Sequence, residues 1–294
     1  MSFAPITSFN MGVKVSGNVQ SCLQQADLDY QVASTPVLFK STEQNIDPVP
    51  KRYVTYRTDT CEPFGVVGSK YRIIQNDTLF AFLDLVPDLK ITNGGHLKAG
   101  GWLCGRFPDQ EVMGDVFSPY VFFKNAHDGT SQFVVAFTPY RIRSHSFLNL
   151  NDGASYHFHV RHTNIAEQRI KTAQEFVKSS VLAMDDFRVM VENTSKKQFT
   201  LDQVKQIFGI ILLPKVKTVK MPATYEFDQQ ALLDCYFNAE NSRFVGTGYG
   251  ILLAVSMFVT DVLGQRARTD ESFLQRSLFR THPMLQDAYK FVMQ

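Results

Sequence analysis

The hydrophobic period of this chain changes once, near residue 160, and that change limits its fold more than any single motif does. Before it, apolar and β-branched residues come in short alternating runs, the longest being YVFFKNAHDGTSQFVVAF at 120–137. After it, Ile170, Ala173, Val177, Val181, Met184, Phe187 and Val191 are spaced 3, 4, 4, 3, 3 and 4 apart, one stripe of a long helix. Strands therefore come first and helices second, with no βαβ alternation. That order predicts an α+β fold: an N-terminal antiparallel sheet with hairpins packed against a long helix, then a mostly helical C-terminal part.

Three stretches follow from this reading. Residues 1–50 are Ser-, Thr-, Gln- and Pro-rich and read as an extended segment, with VASTPVLFK able to form an edge strand. Residues 51–162 read as the β-rich part, and 163–294 as the helical part packed on it in one composite domain. Within the β part, FGVVGSKYRIIQN reads as a strand pair around Gly68-Ser69, and Asn76 or Asp77 as the cap of a short helix that ends at Pro87. Asn93-Gly94-Gly95 reads as a hairpin turn, and Gly100-Gly101 as a bulge or a close backbone approach. Among the later helices, Thr200 with Gln203 predicts a capping box before LDQVKQIFG, with buried IILLP and basic KVKTVKMP after it. Residues 228–240 and 249–264 read as two further helices.

At 294 residues and 44% hydrophobic, the chain can bury a real core. Its formal net charge of +2 means that any nucleic-acid contact must come from a local patch. Cys22, Cys61, Cys104 and Cys235 are widely spaced, which fits neither a disulfide framework nor a zinc ribbon. No leader-like start and no apolar run of spanning length is evident, so the expectation is a cytoplasmic protein of a bacterial host cell, with no membrane contact.

Four groups could carry chemistry. His157 and His159, two apart on a strand, would share a face and could offer two nitrogens to a metal, with His162 nearby; without a cysteine or an H-E-x-x-H pattern, this metal-dependent hydrolase reading is the weakest. His127-Asp128-Gly129 resembles an acid/base pair, but Asp-Gly is also plain turn chemistry. GTGYG at 246–250 matches no phosphate-binding pattern and reads as close helix packing. Lys124, Tyr140, Arg141, Arg143, Arg161 and Lys171 interleave basic and aromatic groups, as a surface for single-stranded DNA does. The plain alternative for that last group is a charged, solvated face. No catalytic residue and no cofactor is expected.

Taken together, YVFFKNAHDGTSQFVVAFTPYRI, HVRHTN and GTGYGILLAVSMFVTD resemble the phage/plasmid-like family known as domain of unknown function 932. The pattern is a hairpin with N-x-H-D-G, a strand-end arginine, R-H-T before a helix, and a late helix starting G-x-x-Y-G. The chain departs from it at Arg143-Ser144-His145-Ser146 and at Leu253, Met257 and Phe258, as a divergent member would. The resemblance implies a phage or plasmid origin. A more distant architectural likeness to single-strand annealing recombinases implies an oligomeric protein that binds or anneals single-stranded DNA in recombination or replication. The alternative is a protein that binds a host or virion partner through Phe147, Phe273, Leu274, Leu278 and Phe279.

Overall fold

A computed structural model describes residues 12–112, 115–117, 119–130, 132–138, 157–163, 171–173, 175–177, 183–213, 224–263 and 283–294. The strands are β1 (Val13–Lys14), β2 (Val32–Lys40), β3 (Ile46–Arg57), β4 (Pro63–Gly68), β5 (Lys90–Leu97), β6 (Gly100–Arg106), β7 (Gln110–Val112), β8 (Asp115–Phe117), β9 (Tyr120–Ala126), β10 (Phe133–Thr138) and β11 (His157–Val160). The helices are α1 (Val19–Gln25), α2 (Asn76–Phe80), α3 (Ala183–Ser195), α4 (Leu201–Leu212), α5 (Tyr225–Tyr236), α6 (Gly248–Met257) and α7 (Pro283–Met293). The fold is α+β, with antiparallel sheet in the first half and helices in the second.

A six-stranded sheet runs β1-β5-β6-β9-β10-β11, and a separate three-stranded sheet runs β2-β3-β4. The central hairpin pairs Val134 with Lys124 and Thr138 with Tyr120. Its turn is built as Asp-Gly predicts: Gly129 has φ 74, and the Asp128 carboxylate accepts from the Thr130 backbone N–H at 2.9 Å. Along β9, Val121 and Phe123 face the main hydrophobic core with Leu103, Phe133, Val135 and Phe137.

Helical residues are found at 171–173 and 175–177 as well as in α3, and Ala173, Val177, Phe187 and Val191 of the expected stripe are all buried. Thr200 and Gln203 form the capping box, and α4 continues through Leu212 rather than stopping at Gly209. After α6 the chain adds a π-helical turn over Phe258–Leu263, where a single helix was expected. The basic KVKTVKMP stretch lies largely outside the described residues.

Several local expectations are corrected. Segment 1–50 is not merely extended: α1 buries Val19, Cys22 and Leu23, and Leu28, Tyr30 and Val32 join the core. Apolar spacing within seven helical residues is too short a signal to stand out. Gly68-Ser69 does not join two strands, because the partner of β4 is β3, in the register Arg52 with Gly68. Asn93-Gly94 is not a turn but the interior of β5, with the turn moved to Lys98-Ala99, between paired Leu97 and Gly100. Gly94 is needed there for space, since a Cβ on it would lie 2.8 Å from Leu103 Cδ2 and 2.9 Å from Ala26 Cβ. The close approach expected at Gly100-Gly101 is found: a Cβ on Gly100 would meet Asn125 O at 2.2 Å, and one on Gly101 would meet Leu28 Cδ2 at 2.2 Å.

Candidate functional site

The strand alternation that sends Val121 and Phe123 into the core continues past β9, so Asn125 and His127 point the same way. Both are fully buried. They arrive where the two sheets meet: the His127 backbone N–H donates to Ala99 O at 2.7 Å, and its carbonyl accepts from the Thr55 hydroxyl of β3 at 2.6 Å. Gly65 of β4 packs against the next residue so closely that a Cβ would lie 2.9 Å from Asp128 Cα.

Asn76 organises the interior. It opens α2 but does not cap it, since Gln75 holds the cap position. Instead its amide turns inward, with Nδ2 donating to Leu28 O at 2.9 Å, which fixes Oδ1 as the atom facing the site. That oxygen accepts from Asn125 Nδ2 at 2.9 Å and lies 3.2 Å from His127 Nε2. Asn125 Nδ2 is also 3.3 Å from His127 Nε2. We assign the proton to Nε2, because the other tautomer would leave a buried N–H with no acceptor, a costlier and rarer state than an unused lone pair. His127 Nδ1 then carries a lone pair and has no partner among the described residues.

His162, 5% exposed, sits beside it, with ring centres 6.3 Å apart at 67°. Its Nδ1 is 3.3 Å from Arg72 O. A carbonyl only accepts, so Nδ1 holds the proton and Nε2 is the unprotonated, unpartnered nitrogen. The ring stacks on Tyr71 at 5.1 Å. Burial, with a contribution from His162, pushes the His127 pKa down to about 3, and burial likewise lowers that of His162. Both imidazoles are neutral at pH 7.

Asn125 Oδ1 is a third buried acceptor without a partner. The Tyr30 hydroxyl interacts with Asn76 but does not reach ordinary hydrogen-bond geometry, and burial raises its pKa. Phe64 closes the ring of side chains, 5.5 Å from His127 and 5.7 Å from Tyr30 between ring centres. On the Tyr30 side, Arg57 lies 4.4 Å above the phenol ring and bridges Asp27 and Asp59, and its hydrogen bond holds the Asp27 carboxyl below the usual carboxylate range. On the His162 side, the Arg72 N–H donates to His162 O at 3.1 Å, which brings the chain at Lys70–Arg72 beside Arg161–His162. Lys70, Arg72 and Arg161 are exposed at the surface. The arrangement can accept hydrogen bonds from a neutral donor inside and attract an anion outside.

The residues singled out in the sequence are divided by this geometry. His157 and His159 stand two apart on β11, opposite Ala136 and Val134 of β10, while the His162 ring packs with Tyr71 and His127. Among the described residues, no group of three or more His, Cys, Asp or Glu side chains could hold a metal ion. Arg161 and Lys171 are exposed, as a phosphate contact requires. Lys124 is not: β9 is a central strand, and this lysine is 5% exposed in the row Gly95, Trp102, Lys124, Val134, His159. Tyr140, Arg141 and Arg143 lie outside the described residues, as do Phe147, Phe273, Leu274, Leu278 and Phe279. The sequence reading missed Asn76, Tyr30 and Tyr71, and treated His127 as part of a turn. The available signal was the alternation Val121, Phe123, Asn125, His127, which puts an amide and an imidazole on the core face of the longest β run.

A family model described as a domain of unknown function (DUF932) matches residues 63–279. The chain belongs to the DUF932 family. No curated protein and no solved structure matches it. The matched span contains Asn76, Asn125, His127 and His162, while Tyr30 and Thr55 lie before it. None of the helices among the described residues is long and apolar enough to cross a membrane.

Proposed function

We propose that this DUF932 protein binds single-stranded nucleic acid, as a homo-oligomer acting in phage or plasmid recombination or replication. The observation that carries the reading is the double contact between Arg72 and His162, backbone N–H to carbonyl and ring Nδ1 to carbonyl, with exposed Lys70, Arg72 and Arg161 next in the chain to the stacked Tyr71 and His162 rings. Clustered cations beside an aromatic face suit a strand whose phosphates and bases must both be met. The binding protein carries this out without covalent chemistry, so no catalytic residue is assigned.

Fluorescence anisotropy with a labelled single strand tests it across a salt series. Each phosphate contact contributes about 0.7 to the slope of log affinity against log salt on a single strand, so R72A with R161A should flatten the slope by about 1.4. An unchanged slope, or no binding at low salt, overturns the reading.

A second reading, an interaction protein, is favoured by the β2–β3 arm. Among the described residues Leu38–Lys40 pair only with Ile46–Pro48, beyond the reach of β4, and Leu38, Phe39 and Ile46 are 60%, 48% and 67% exposed. An isolated two-stranded arm is marginal in water, and exposed apolar residues on it suit a partner. Light scattering of F39S and I46S against the parent tests it: a smaller assembly supports the arm as a self-association element, and an unchanged mass counts against that use.

A further inference from the structure

Among the described residues the β2–β3 arm has one strand edge left open, and its limits can be set residue by residue. β2 is the outermost strand of its sheet and pairs with β3 on one side only. Successive residues of such a strand turn their backbone N–H and C=O alternately toward the partner and away from it. At Val32 the outer side is occupied: Gln75 Oε1 accepts from its N–H and Gln75 Nε2 donates to its C=O, each at 2.9 Å, as a neighbouring strand would. Ser34 and Pro36 face the same way as Val32, and Pro36 has no N–H to offer. The register then slips between Pro36 and Leu38.

From the turn of the arm the alternation can be followed back. The Ser41 N–H donates to Asn45 O at 3.0 Å, so the backbone of Phe39 also faces β3, where it pairs with Asp47. The N–H and C=O groups of Leu38 and Lys40 therefore face outward. Pro48, opposite Leu38, agrees with this, since its missing N–H then lies on the side away from β2. Proline blunts the outer edge of β3 at this level, while the edge of β2 keeps every donor and acceptor from Leu38 to Lys40.

An edge of this kind takes another extended strand, because only backbone supplies donors and acceptors at strand spacing. The open window is symmetric, with Pro36 and the slip at one end, the Ser41–Asn45 turn at the other, and Phe39 in the middle. A second copy turned about a two-fold axis at Phe39 sets Leu38 opposite the copy's Lys40 and Lys40 opposite its Leu38. Both are hydrogen-bonded pairs, so every outward N–H in the window finds a carbonyl. Phe39 meets Phe39 of the copy between them, in the closer, non-hydrogen-bonded position. Moving the axis to Leu38 brings Pro36 opposite Lys40 and leaves the Lys40 carbonyl without a donor. Moving it to Lys40 sets two lysines opposite each other, which like charge disfavours.

We infer that two copies of this chain join through their arms, β2 to β2, antiparallel about Phe39, as one four-stranded ribbon. A two-stranded arm that is marginal alone gains the further strands it lacks. The inference rests on the reading of the arm as a self-association element and adds to it the partner strand and the register.

Two sets of variants of the full chain test it. K40P removes the outward Lys40 N–H and leaves the arm's own hydrogen bonds in place, and K40A controls for the side chain. Where the parent is paired, light scattering should give K40P about half the mass of K40A. F39C is made with C61S, since Cys61 is exposed and the other three cysteines are buried. Mild oxidation should cross-link F39C into a covalent dimer, while I46C with C61S, exposed but on β3, should stay a single chain. Equal masses for K40P and K40A, or equal cross-linking of F39C and I46C, overturn the edge pairing. If F39S and I46S still shrink the assembly in that case, the arm associates by its apolar side chains and the broader reading stands. A parent with the mass of one chain at every concentration, and no F39C dimer, removes both.

Discussion

Replacing Asn76 with alanine should destabilise the protein by about 3–5 kcal/mol, a large share of the roughly 5–15 kcal/mol that holds a domain together. The side chain is 1% exposed and takes part in three contacts: Nδ2 to Leu28 O, Asn125 Nδ2 to Oδ1, and His127 Nε2 to Oδ1. Alanine removes all three and adds none, leaving a carbonyl, an amide N–H and an imidazole N–H buried. Each such orphan costs about 1–3 kcal/mol. The sum is kept at the lower end because Asn125 and His127 lie within hydrogen-bond distance of each other and can partly compensate. Urea unfolding at pH 8 measures it, where the alanine variant should show a lower midpoint and an unchanged slope against denaturant. N76D is the comparison: it keeps an oxygen toward His127 but loses the donor to Leu28, and it should raise the His127 pKa by placing a carboxylate beside it. A loss below about 1 kcal/mol for N76A would refute the network, because only a surface-like position tolerates that change so well.

Acid should weaken the fold before the carboxylates titrate. His127 has a folded-state pKa of about 3 against about 6.5 unfolded, so the unfolded chain binds the proton first and stability falls as pH drops through 6.5 toward 3. The worth of this one group is about 2 kcal/mol between pH 8 and pH 5, with His162 shifting in the same direction, and urea midpoints at those pH values check it. A flat profile across that window contradicts neutral buried histidines. G100A should unfold at lower urea than the parent or fail to accumulate, because its Cβ would stand 2.2 Å from Asn125 O on the neighbouring strand. Equal stability would mean that β6 and β9 are not held as closely as described.

What could be read in the sequence was what depends on near neighbours. The hairpin at 120–138, the buried positions of the helical stripe and the Thr200–Gln203 capping box each rest on residues a few places apart, and each is found. The Asn93-Gly94 turn failed because the same dipeptide serves where a strand must lie close to neighbours, and only the packed structure shows Leu103 and Ala26 against Gly94. The candidate site was illegible for a related reason. His127 meets Asn76, 51 residues away, and ring neighbours Tyr30 and His162 that come from α1's trailing segment and the end of β11. Their convergence is set by the meeting of two sheets, and no local pattern encodes it. His162 had been grouped with His157 and His159 by proximity in the chain, but Arg72 O and Tyr71 hold it elsewhere.

The paired lone pairs of His127 and His162 are the centre of this account, and long-range proton–nitrogen spectra of the histidine side chains observe them directly. At pH 7 His127 should show a protonated Nε2 with a bare Nδ1, and His162 a protonated Nδ1 with a bare Nε2, and the His127 ring should stay neutral down to pH 5.5. A doubly protonated ring at either position at pH 7, or the opposite tautomer of His127, would contradict the buried network.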